Sequence, residues 1–371
     1  MRKFTVALLA AAAATALSMN AAYADIKIAT AGPMTGQYAS FGEQMKRGAE
    51  MAVADINAKG GVLGQKLVLS VGDDACDPKQ AVAVANKMVT DKVVFMAGHF
   101  CSGSSIPASE VYGRGGILQI TPASTNPALT DDAAKKKWIH VHRTCGRDDA
   151  QGLVAGKYLA TTYKGKKVAI LHDKTAYGKG LADETKKALN AAGAKEALYE
   201  AYTAGEKDYS ALVSKLKAAG IDVVYIGGYD AEAALINRQA TDAGYKPQFI
   251  SGDALATDNF WKVAGPAGEG FLFTFQPDPR NSPAAKDVVA KFKAQNYDPE
   301  GYTLYTYAAI QVWAAAVTKA KSTKVADVSK AIRGNTFDTV IGKLSYDAKG
   351  DVKNPEYVFF KFSNGKYAET K

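Results

Sequence analysis

Two short stretches gather the residue types that could hold a charged small molecule. In "GHFCSGSS" (Gly98–Ser105) the apolar run "VVFMA" (Val93–Ala97) empties into small hydroxyl residues, and a helical pattern follows. Ser102 and the amides of Gly103 to Ser105 lie where strand gives way to helix. Free N–H groups and the positive end of the helix dipole meet there, and both favour a carboxylate or phosphate. Taken alone, Ser102 or Ser104 reads equally well as a cap of that helix. The second stretch, "ITPASTNP", ends the adjacent strand pattern with another set of hydroxyls and amides, Thr121 to Thr125. A second run of strands further along ends in Tyr229 and Asp253. A carboxylate-favouring turn facing an acidic side chain across a cleft suits a zwitterion, the shape of an α-amino acid.

Other chemistries find less support. A dinucleotide turn needs G-x-G-x-x-G after the first strand, and "TAGPMTGQ" does not fit; no P-loop is present. A nucleophile elbow wants glycine two before its serine, yet Phe100 precedes Ser102 there. The strand ends offer no nucleophile–base pair, so an enzyme is not expected. His140 and His142 face one way on a strand without a third ligand nearby, so neither a metal nor another cofactor is expected. The net charge is +9, but lysines such as Lys186, Lys187, Lys215 and Lys217 are scattered singly along helical patterns. That is a solvated surface, and no nucleic-acid partner is expected.

The elements that must position these residues alternate. "DIKIATAG" reads as a strand, "FGEQMKRGAEMAVADINAKGG" as a helix stopped by Gly60-Gly61, and "QKLVLSVGDD" as a strand. "DPKQAVAVANKMVTD" is a helix with Asp77 as cap and Pro78 at its first position. "VVFMAGHF", "SSIPASEVYGRGG" and "ILQIT" continue as strand, helix and strand. After Cys145 the alternation restarts: helix 148–163, "KKVAILHD", helix 177–192, "EALYEAYT", helix 209–219, "DVVYIGGY", helix 231–243 and "PQFISGD". The tail alternates less cleanly, with a helix over 304–320 and short strands near Thr339, Leu344 and Phe359. Such runs imply parallel sheets covered on both faces, here two doubly wound lobes in an α/β chain. Ligands of such sheets sit outside the carboxyl ends of the strands.

At the other end of the chain, "MRKFTVALLAAAAATALSMNAAYA" has Arg2 and Lys3, an apolar core from Phe4 to Leu17, and the small-x-small close Ala22-Tyr23-Ala24. This predicts a signal peptide over residues 1–24, cleaved after Ala24, and a periplasmic protein. In an oxidising compartment two of the three cysteines should pair. Cys76 and Cys101 each lie just past a strand pattern, and strand ends on one edge of a parallel sheet are close together. That pair is geometrically easy and leaves Cys145 as a buried thiol.

"GDDACDPKQAVAVANK", "GHFCSGSS", "ITPASTNPALT", "HDKTAYGKGLA", "TAGEKDYSALVSKLK" and "DVVYIGGYDAE" resemble the periplasmic leucine/isoleucine/valine-binding proteins. These are receptors of branched-chain amino-acid ABC transporters with the type I periplasmic-binding fold. The resemblance runs from Asp25 to near the C-terminus. It implies two Rossmann-like lobes joined by a three-stranded hinge: lobe 1 from 25–144 and 275–350, lobe 2 from 145–274 and 351–371. It also implies a free amino acid as ligand, an inner-membrane ABC permease as partner, and a monomer. Carried over by motif, Ser102 and Thr125 would hold the ligand carboxylate. The Ala123 backbone, Tyr229 and Asp253 would take the ammonium, and Tyr177 would press on the ligand from lobe 2. The same resemblance supports the Cys76–Cys101 disulfide. Three positions depart from leucine-binding members: Phe100 replaces a smaller aliphatic residue, Asp253 a glutamate, and Phe41 a tyrosine. Tyr302 aligns with a pocket phenylalanine. The pocket should therefore be shallower, favouring branched-chain or smaller neutral amino acids. The alternative is a sensory receptor of this fold for another zwitterion such as 4-aminobutyrate.

Overall fold

The computed structural model describes residues 24–370; the expected signal peptide lies, up to residue 23, outside the described residues. Five parallel strands, Ile26–Gly32 (β1), Leu67–Asp73 (β2), Phe95–Gly98 (β3), Leu118–Thr121 (β4) and Val141–Arg143 (β5), form one sheet in the order β2-β1-β3-β4-β5. Ala31 stands opposite both Gly72 and Gly98, which sets the carboxyl ends of β1, β2 and β3 in one row. Five more parallel strands, Val168–His172 (β6), Leu198–Ala201 (β7), Val223–Gly227 (β8), Gln248–Ser251 (β9) and Leu272–Phe275 (β10), build the second sheet. A hairpin of Thr336–Thr339 (β11) and Gly342–Ser345 (β12) follows. The antiparallel strands Val358–Ser363 (β13) and Lys366–Glu369 (β14) then close the second sheet, in the order β14-β13-β10-β9-β8-β6-β7.

The central strands are buried along their whole length, "FMAG" in β3 and "VAILH" in β6, because helices cover both faces. The helix Pro78–Thr90 begins as its sequence demands, with the Asp77 carboxylate accepting from the Gln80 amide at 2.8 Å. Thr303–Ala320 is apolar on nearly every side and is buried accordingly. Its Trp313 ring stacks on Phe95 of β3, centroids 4.9 Å apart, so a helix late in the chain completes the first lobe's core.

The chain passes between the lobes three times, over 144–147, 276–282 and 354–357. Two lobe limits differ from expectation. Phe275, placed above in lobe 1, is the last residue of β10 and pairs with Val358 in the second sheet. Asp351, placed above in lobe 2, stays with lobe 1: Val352 bridges to Tyr346, and the Lys353 amide bonds to the Ser345 carbonyl. Its carboxylate meets the fully buried Arg143, Nε to Oδ1 2.6 Å, and Arg147, Nη1 to Oδ2 2.8 Å. Four short helices, Ala128–Lys135, Asn259–Ala264, Lys286–Ala294 and Val325–Gly334, also lie outside the sequence expectation.

Candidate functional site

The two strand-end turns of lobe 1 are stitched together. The Thr121 hydroxyl donates to the His99 carbonyl at 2.6 Å and accepts from the Ser124 amide at 2.9 Å. Ser124 Oγ donates to the Phe100 carbonyl at 2.8 Å. Arg143 holds the second turn from behind, donating to the Ser124 carbonyl at 2.6 Å. His99 is committed elsewhere, with Nδ1 2.6 Å from Asp74 Oδ2 and Nε2 2.7 Å from the Tyr112 hydroxyl. A Cys76–Cys101 disulfide, Cα atoms 5.6 Å apart, ties the exits of β2 and β3.

These contacts settle what Ser102 does locally. It is the first residue of the helix Ser102–Gly115, whose N-cap is Cys101, and no side chain caps that helix. Instead Ser102 Oγ accepts from the Asn126 amide at 3.3 Å, which leaves its own hydrogen free to donate. Among the described residues, the buried hydroxyls of Ser104 and Thr125 have no hydrogen-bond partner.

Lobe 2 brings Tyr177, Tyr229 and Asp253, each no more than 3% exposed. Tyr177 opens the helix Ala176–Ala191, whose cap Thr175 accepts from the Gly178 amide at 3.0 Å. Tyr229 is the N-cap residue of Asp230–Asp242, and Asp253 follows β9. Asp253 Oδ1 accepts from the Tyr177 hydroxyl at 2.9 Å, and Oδ2 from the Tyr302 hydroxyl, which reaches over from lobe 1. Burial pushes the Asp253 pKa above the ordinary carboxylate value, against the pull of bonds from Tyr302, Tyr177 and Gln151.

Phe100, Ser102, Ala123, Tyr177, Tyr229, Asp253 and Ala254 bound a space of about 10 Å³ between the lobes, room for about one water molecule. That is below the roughly 300–1,000 Å³ of common ligand pockets. Phe41 and Tyr302 stand behind Phe100 instead of lining the space: Phe41 stacks on it at 4.4 Å, and Tyr302 meets it edge-on at 5.4 Å. Tyr177 packs on Tyr229 at 5.0 Å, and besides facing the cavity its hydroxyl serves Asp253. Ala254, Asp148 and Gln151 were not anticipated. Asp148 opens the helix Asp148–Thr162, and its amide donates to the Thr125 carbonyl at 2.9 Å. Neither carboxylate oxygen of Asp148 has a partner among the described residues. Burial, then the nearby Asp253 charge, push its pKa well up. Gln151 bonds Thr274 Oγ1 at 2.9 Å from the same helix. The acidic first turn in "GRDDAQ" was the available signal, but it reads equally as a partner for the helix dipole.

Hydrogen-bond donors thus face one side of a closed space and a buried acid the other, with aromatic walls between. His99 is spent on Asp74 and Tyr112. Fold and site together define a two-lobed binding protein that encloses a small ligand.

The chain belongs to the periplasmic binding protein family, which it matches over residues 25–366. It is similar to the Leu/Ile/Val-binding protein homolog 2 of Brucella abortus, 52% identical over 344 residues and 92% of each chain. An amino acid binding protein of Pseudomonas aeruginosa is 48% identical over 369 residues, 98% of each chain. Among solved structures, the leucine binding protein LivK of Thermotoga maritima superposes with a TM-score of 0.86 at 26% identity, covering 93% of this chain and 98% of that one. The branched-chain amino acid transporter substrate binding protein LivJ of Streptococcus pneumoniae, in complex with isoleucine, gives 0.84 at 25% identity with the same coverage.

Proposed function

We propose that this chain is the periplasmic substrate-binding receptor of an amino-acid ABC transporter. It takes a free branched-chain or smaller neutral amino acid between its lobes and delivers it to an inner-membrane permease. The observation that carries this reading is the polarity of the cleft. Ser102, with a hydrogen free to donate at the start of a helix, faces a buried acid whose oxygens are both held by tyrosines. In this reading Ser102 and Thr125 receive the ligand carboxylate. The Ala123 carbonyl, Tyr229 and Asp253 receive the ammonium, and Phe100, backed by Phe41 and Tyr302, limits the side chain. The relatives' names, Leu/Ile/Val-binding and amino acid binding, support the ligand class. The protein works as an exported monomer, cleaved after Ala24.

A thermal-shift screen of the exported protein against the common amino acids and 4-aminobutyrate tests this. Alanine, valine, isoleucine or leucine should raise the melting temperature in a concentration-dependent way. Stabilisation by none of the neutral amino acids would overturn the proposal.

A further inference from the structure

Away from the cavity, one carboxylate joins the two lobes. Glu232 lies on the helix Asp230–Asp242 of lobe 2 and is 1% exposed. Its Oε1 accepts three hydrogen bonds: from Gln37 Nε2 at 2.7 Å, the Gly205 amide at 2.8 Å and the Tyr38 hydroxyl at 2.9 Å. Gly205 belongs to lobe 2, so its bond holds the carboxylate in place whatever the lobes do. Gln37 and Tyr38 belong to lobe 1, in the turn between β1 and the helix Ala39–Ala58. Their two bonds exist only while the lobes are together.

We infer that Glu232, with Gln37 and Tyr38, is a closing latch that sets how long the lobes stay shut on a ligand, by the same factor for every ligand. Hydrogen bonds to a buried acceptor are stronger than the same bonds in water. Glu232, Gln37 and Tyr38 are not among the residues bounding the cavity. The latch therefore cannot distinguish one amino-acid side chain from another. It does sense that the site is closed, because the Tyr38 ring packs at 4.6 Å on Tyr229, which bounds the cavity. The Tyr302–Asp253 bond also joins the lobes, but it involves the acid assigned to the ammonium. Losing that bond would change ligand ranking, whereas losing the latch would not. Opening breaks both lobe 1 bonds, so the effect falls on dissociation.

This inference rests on the amino-acid reading of the cleft, and the test separates the two. Stopped-flow measurement with valine and alanine compares wild type, Glu232→Gln, Tyr38→Phe and the double variant. Glu232→Gln should release both amino acids at least about tenfold faster, the factor that about 1.4 kcal/mol gives. Association should stay within about twofold, and the valine-to-alanine affinity ratio should not move. Tyr38→Phe should have a smaller effect and add little on top of Glu232→Gln, since both remove one interaction. Unchanged release rates, a shifted ratio, or fully additive effects would overturn the latch. A ligand-independent reading comes from spin labels on Lys135→Cys and Lys187→Cys, whose side chains are 76% and 74% exposed on opposite lobes. Glu232→Gln should move their distance distribution toward longer separations. An unmoved distribution would overturn the latch, even in a protein that takes up no amino acid.

Discussion

Replacing Phe100 by leucine should change which amino acid the cleft prefers. In the wild type the Phe100 ring is confined on two sides, stacked on Phe41 at 4.4 Å and met edge-on by Tyr302 at 5.4 Å. The ring has little room to swing aside, and the space it bounds is only about 10 Å³. Relative to valine, leucine adds one methylene worth about 0.8 kcal/mol of burial. Overpacking a filled site costs about 1–3 kcal/mol. The balance is a penalty of up to about 2 kcal/mol, or about thirtyfold, against leucine. Phe100→Leu removes the clash and keeps the methylene gain, so leucine should improve about five- to 150-fold relative to valine. The substitution also gives up aromatic contacts with Phe41, Tyr302 and Tyr229, worth about 0.5–1.5 kcal/mol each, so a melting curve must accompany the binding data. Calorimetry of both proteins with alanine, valine and leucine reads the ratios. A wild type favouring leucine over alanine and valine by tenfold or more would refute the reasoning, as would a ratio that Phe100→Leu leaves unchanged.

Asp253→Ala should cost about 2–5 kcal/mol of binding, because the ligand ammonium loses its buried counter-charge, while Asp253→Glu should be milder. Calorimetry showing full affinity in Asp253→Ala would remove this residue from the site. Reducing the Cys76–Cys101 bridge, which spans 25 residues, should lower stability by about 3 kcal/mol by the loop-entropy argument. Peptide mapping without reductant should find that pair linked and the buried Cys145 alkylated only after unfolding. Asp173 is 2% exposed, and burial pushes its pKa up to about 7. Its folded value exceeds the unfolded value of about 3.9, so wild-type stability should be lost as pH rises from about 4 through about 7. Asp173→Asn removes that loss, and should gain up to about 4 kcal/mol over wild type at pH 8 and little at pH 4. Denaturant titrations giving the same difference at both pH values would argue against it.

Much of the fold was legible because parallel strands buried on both faces leave unbroken apolar runs, "VVYIG" in β8 as clearly as "VAILH" in β6. The helices that escaped notice are short and bury few residues. Lys286–Ala294 buries only Val288, Val289 and Phe292, and Ala128–Lys135 only Leu129, Thr130 and Ala133. The lobe limits were blurred because the crossings carry no composition change, and the contacts of Asp351 with Arg143 and Arg147 are invisible in sequence. At the site, strand ends were easy to find, since each follows an apolar run. Whether Ser102 caps its helix or points a hydrogen into the cleft was not decidable from "GHFCSGSS". The absence of a side-chain cap and the Asn126 amide on its oxygen exclude the capping role, and that contact joins two different turns. Asp148 and Gln151 lie in the first turn of the helix after a crossing, where no periodicity marks an inward face.

The interleaving of the lobes also governs when either can fold. The first sheet is complete in sequence by Arg143, yet its core lacks Trp313 and the rest of Thr303–Ala320 until most of the chain has been made. The second sheet waits longer still, because β10 pairs with β13, near the C-terminus. Nascent chains of this protein therefore carry two half-built hydrophobic faces at once, with no early domain that could close by itself. Contacts spanning such distances slow folding, since chain closure must precede the contacts that reward it. A chain that stays unfolded until its last strands arrive also stays threadable, and truncation within those strands should leave no independently stable lobe 2.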